Sequence, residues 1–140
     1  MPFIAGIGEN TDNMEERLIF YEEIYYWALH GEIEELFNDT GKYIDLLEDT
    51  FFTPKELPRL MKMIADTRKR IADKPGKWEE FLATELDPET RDIFISINKA
   101  NFISFLDHFE SMIKEAQETG KNVVFKSDNP LSSGMEIHIV

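Results

Sequence analysis

Three histidines, 28 carboxylates and no cysteine bound the chemistry open to this 140-residue chain. His30, His108 and His138 fall into neither a His-Glu-x-x-His nor a Glu-x-x-His spacing, which would set metal ligands on one helical face. His30 stands beside Gly31 at an expected helix end, where a protonated imidazole interacts favourably with the helix dipole. His108 follows Asp107, but neighbours on a helix point about 100° apart, so Asp107 does not orient it. His138 alternates with Ile137 and Ile139 on an expected strand. All three read as structural.

The carboxylates discriminate little, because so many acids give close pairs by chance. A catalytic one would have to interrupt an apolar stripe, where desolvation raises its pKa, and none does so clearly. Asp39-Thr40-Gly41 matches the aspartic-protease tripeptide, but chain length and helical surroundings give it a turn role. Gly6-Ile7-Gly8 lacks the third glycine and the following helix of a phosphate loop. The serines at Ser96, Ser104, Ser111, Ser127, Ser132 and Ser133 form no Gly-x-Ser-x-Gly elbow. Without cysteine there are no disulfides, thiolate metal sites or thiol nucleophiles. The expectation is a protein that is not an enzyme and takes no cofactor or metal.

The strongest signal is electrostatic. The formal charge is −13, against the excess of Lys and Arg that nucleic acid or an anionic membrane requires. Residues 1–50 carry thirteen acids against Arg17 and Lys42, a net of −11, while residues 51–140 carry fifteen acids and thirteen bases. Between Lys55 and Lys77 eight bases face Glu56, Asp66 and Asp73. Such polarity makes a directional field that can steer a cationic partner. Arg68-Lys69-Arg70, the one basic run, reads as a solvated face or a contact to an acidic helix.

The elements that must present these charges read as mostly helical. Hydrophobic residues make up 42% of the chain, with eleven Phe and two Trp, enough for a core in one domain spanning residues 1–140. Asn13 with Glu16 predicts a capped first helix, whose core stripe is Met14, Leu18, Tyr21, Tyr25 and Ala28 and which Gly31 closes. Ile33, Leu36, Phe37, Tyr43, Ile44 and Leu47 continue a second helix to about Thr50, with a break at Asn38-Asp39-Thr40-Gly41. Thr53-Pro54-Lys55-Glu56 predicts a capping box for a third, carrying Leu57, Leu60, Met61, Ile64 and Ile71; Pro58 allows it to begin late, and Lys74-Pro75-Gly76 ends it.

A short helix with Trp78, Phe81 and Leu82 follows. Asp87-Pro88 then caps a long one holding Ile93, Phe94, Ile97, Phe102, Leu106, Phe109 and Ile113, irregular near Asn98 to Asn101 and closed by Gly120. Val123-Val124-Phe125 and Met135 to Val140 predict a C-terminal hairpin, able to recruit Phe3-Ile4-Ala5 as a third strand or to pair a homodimer. The expected fold is mainly α: about five helices in a bundle with a small hairpin, or α+β if the N-terminus adds a strand.

On that first helix, Glu15, Glu16, Glu22 and Glu23 lie opposite the core stripe with Ile19 and Tyr26 among them and Trp27 on its flank. On the second, Glu34, Glu35, Asp39, Asp45 and Asp49 fall away from the apolar stripe. Apolar anchors within one sign of charge suit protein binding. The competing explanation is that these acids are solvated, or balance the basic Lys55 to Lys77 stretch within the fold.

In size, charge and acidic helical face the chain resembles bacterial immunity proteins, which neutralise cationic toxins such as nucleases by covering their basic substrate site. The resemblance implies stoichiometric occlusion of a basic protein, with Tyr26 or Trp27 as anchor and no direct nucleic-acid or membrane binding. A regulatory or adaptor domain, or an enzyme with an unfamiliar carboxylate and histidine site, are the alternatives. No apolar run approaches the ~20 residues of a membrane span, and Met1-Pro2-Phe3-Ile4-Ala5-Gly6 lacks the regions of a signal peptide, so the expected location is cytoplasmic.

Overall fold

Asn10-Thr11-Asp12-Asn13 forms a chain reversal instead of a helix cap. The Asn10 side-chain oxygen accepts from the backbone N–H groups of Asp12 and Asn13, each at 2.9 Å, and turns β1 (Phe3–Asn10) back into β2 (Asn13–Phe20). A computed structural model describes residues 3–20, 23–45, 48–86 and 90–127. Within them the order continues with α1 (Glu23–Ala28), α2 (His30–Thr40), β3 (Thr50–Phe52), α3 (Leu57–Ile71), β4 (Lys77–Glu85), β5 (Arg91–Asn98), α4 (Lys99–Thr119) and β6 (Asn122–Lys126).

The fold is α+β, which corrects the expectation of a mainly α bundle. Among the described residues, four strands form an antiparallel sheet in the order β2-β1-β6-β3, and β4 and β5 form a second antiparallel pair. The expected first helix becomes β2 followed by the short α1. Met, Glu, Arg and Leu favour a helix here, but pairing with the apolar β1 overrides that weak preference. Two glycines make the pairing close: a side chain at Gly6 would strike the Glu15 carbonyl oxygen, and one at Gly8 the Asn13 carbonyl oxygen. Gly31, expected to close the first helix, lies inside α2.

The second correction concerns residues 77–98. Trp78 and Phe81 sit on β4, and Ile93, Phe94 and Ile97 on β5, with Phe81 directly opposite Phe94. β5 passes into α4 without a loop. The Asn98 side chain accepts from the Asn101 N–H at 3.0 Å and caps α4, so the irregularity expected at Asn98 to Asn101 is the strand-to-helix junction. Gly120 ends α4 at φ 67°, as Gly41 ends α2 at φ 76°. α3 begins at Leu57-Pro58. The Glu56 carboxylate before it accepts from the Thr53 N–H at 2.9 Å, half of the expected capping box.

α4 contributes Phe102, Phe105, Leu106, Phe109, Met112, Ile113 and Ala116 to the core. Its Phe109 ring lies 5.9 Å from Phe125 of β6, which stacks on Phe3 of β1 at 6.0 Å and meets Phe52 of β3 at 5.8 Å. Phe3-Ile4-Ala5 does join the Val123 to Phe125 strand, through β1 pairing with β6. α3 buries Leu57, Leu60, Met63, Ile64 and Ile71, and all the buried apolar residues described but Val124 make one cluster. The Asp87-Pro88 cap, Tyr21, Leu47, the 135–140 strand and the homodimer expected through it lie outside the described residues.

Candidate partner-binding surface

α2 is amphipathic. It buries Ile33 and Leu36 and turns Glu34, Glu35, Phe37, Asn38 and Asp39 outward. Phe37 is 46% exposed, and its ring meets Tyr43 edge-on at 5.7 Å. The Tyr43 hydroxyl lies 2.8 Å from His30 Nε2, and the His30 ring lies 5.4 Å from Trp27. Phe37, Tyr43, His30 and Trp27 thus make a semi-exposed aromatic strip along the acidic helix, with Glu34 Oε1 3.7 Å from His30 Nδ1.

The strip runs into a cavity of about 320 Å³ where α1 and α2 meet α3 and β4. Arg70 reaches it from α3. Its Nε and Nη2 donate to the two Glu32 oxygens at 2.9 Å each, its Nη1 to Glu80 Oε1 at 2.7 Å, and its Nη2 also to the Ala28 carbonyl at 2.6 Å. Burial by itself would lower the Arg70 pKa, but the two carboxylates outweigh it and raise it, so the charge is fixed. This fork ties four elements, α1, α2, α3 and β4, together. It is the contact to an acidic helix expected for the basic run.

The expected site residues divide. Glu34, Glu35 and Asp39 do share the outer side of α2, beside Trp27, although Asp39 accepts from Arg59 Nε at 2.7 Å. Glu15, Glu16 and Ile19 lie along β2 and share no helical face; Glu15 pairs with Arg17, which also grips Glu115 of α4. Tyr26, expected as an exposed anchor, is 3% exposed and donates to the Ile44 carbonyl at 2.8 Å, because residues 23–28 form a separate helix turned into the core. Glu23 opens α1, Asp45 follows α2 half-buried, and Asp49 accepts from the Ser127 N–H at 2.8 Å. Glu22 lies outside the described residues.

Sequence reasoning missed Glu32, Glu80, Phe81 and the exposure of Phe37. Spacing assigns Phe37 to the apolar stripe, and only its position one turn from the Gly41 break points to the surface. Among the described residues no group of three or more His, Asp or Glu is placed to hold a metal ion, and no helix is long and apolar enough to cross a membrane. Compared with protein-family models, curated proteins and solved structures, the chain matches none.

Proposed function

We propose that the protein is a stoichiometric binder of a cationic protein, acting in the cytoplasm as an immunity-type inhibitor that covers the basic active site of a toxin such as a nuclease. The observation that carries this reading is the exposed Phe37 ring at the edge of the α2 face that also turns Glu34, Glu35 and Asp39 outward, continued by Tyr43, His30 and Trp27. An aromatic edge supplies contact area, and carboxylates around it supply register and encounter rate toward Lys and Arg. The net charge of −13 supports the same class of partner and works against direct nucleic-acid binding.

The test is affinity capture from the source cell's lysate at low and moderate salt, followed by binding of the retained protein to Phe37→Ala and Glu34→Lys variants. A basic nuclease retained in equal amount supports the reading, with Phe37→Ala costing about 2 kcal/mol of affinity. A neutral or acidic partner makes the protein an adaptor. Unchanged affinity in both variants removes α2 as the contact face.

A further inference from the structure

We infer that the cavity where α1 and α2 meet β4 is a receptor for an arginine side chain, presented by the cationic partner. The inference rests on the partner reading above and gives it a chemical address. Two carboxylates, Glu32 and Glu80, share one guanidinium, that of Arg70, so the group carries a net charge of −1. Glu32 is satisfied at both oxygens by Arg70. Glu80 is not: its Oε1 accepts from Arg70 at 2.7 Å and from the Trp78 indole at 3.2 Å, while its Oε2 accepts no hydrogen bond among the described residues. The Glu80 side chain is 18% exposed and its Oε2 stays open to solvent, so it is free to take a charged donor entering the cavity.

The walls select the donor. Trp27 and His30 line the same cavity with their rings 5.4 Å apart, while the Phe81 ring lies on the other face of β4, paired with Phe94 at 5.9 Å. A planar, weakly hydrated guanidinium both stacks on such rings and donates to a carboxylate, which an ammonium does less well. An anion would meet two carboxylates and an Arg70 already engaged by three groups. The cavity also has room: Gly31 lines it, and a side-chain carbon added there would meet nothing within 4 Å.

The experiment is an amide-resolved NMR titration of the full chain with N-acetyl-arginine methylamide at millimolar concentrations, alongside the lysine and the uncharged citrulline counterparts. Saturable shifts at Trp27, Gly31, Glu32, Glu80 and Phe81 are expected with the arginine compound, weaker ones with lysine and none with citrulline. Glu80→Gln is expected to weaken binding about tenfold. Because that change also touches Arg70, Gly31→Leu is the independent variant: it adds bulk at a residue that lines the cavity, improves helix propensity and is expected to abolish the shifts. Absence of shifts, equal shifts with citrulline, or full binding by Gly31→Leu overturns the receptor. Arginine binding without capture of any cationic protein would keep the receptor and remove the partner reading; capture through Phe37 without arginine binding would do the reverse.

Discussion

The Tyr26 hydroxyl and the Glu56 carboxylate show how single groups are committed inside this fold. Burial pushes the Tyr26 phenol well above its ordinary pKa, and its proton is spent on the Ile44 carbonyl. Tyr26→Phe is therefore expected to cost about 1 kcal/mol in urea unfolding and to leave partner affinity unchanged. Burial also pushes Glu56 upward, but the Lys42 ammonium at 2.6 Å and the Thr53 N–H prevail and hold its pKa below the ordinary 4.5. A carboxylate depressed in the folded state stabilises fully above its unfolded pKa and loses that contribution as pH falls through the folded value. The melting temperature is expected to drop as pH descends below 4.5, less steeply in Glu56→Gln. Residue type alone did not separate these roles. Glu32 and Glu34 are the same residue type, but they lie about 200° apart on α2, so Glu32 faces inward to Arg70 of α3 and Glu34 stays on the surface.

At the scale of elements, the backbone signals at Gly41, Gly120 and Pro58 agree with the structure, whereas Gly31 and the ambiguous side-chain spacing do not. Gly41, Gly120 and Pro58 mark boundaries that the structure keeps, because positive φ and a missing amide are requirements no packing removes. The spacing of Trp78, Phe81 and Leu82 suits a helix, yet the period-two run Ile93, Ile95, Ile97 across the hairpin carries the β signal that decides both strands. Trp78 and Ile97 are buried at its base, while Phe81 and Phe94 pair edge-on at 5.9 Å with both rings exposed. β1 and β2 show the opposite economy: Gly6 and Gly8 of β1 let the two backbones approach. Gly6→Ala is expected to destabilise by more than about 2 kcal/mol, read as a lower urea midpoint, because the obstacle is the Glu15 carbonyl and not a movable side-chain end.

For the whole molecule, the acidic half is partly neutralised from within. Arg59 and Arg70 are paired with Asp39 and Glu32, as the competing sequence explanation required, while Glu34 and Glu35 remain on the outer side of α2. The proposed association is expected to slow roughly tenfold or more as salt rises toward physiological strength, with the dissociation rate nearly constant, measured by stopped-flow against the captured partner. The sheet order that places β1 between β2 and β6 also has a history in time. Its two neighbours are made at opposite moments of synthesis: β2 follows at once, whereas the Asn122 amide that donates to the Glu9 carbonyl is 113 residues away. One edge of β1 therefore waits bare while most of the polypeptide leaves the ribosome. The nascent hairpin passes through a window in which its open edge can be claimed by any stray strand, and the chain's vulnerability to aggregation is greatest before β6 exists.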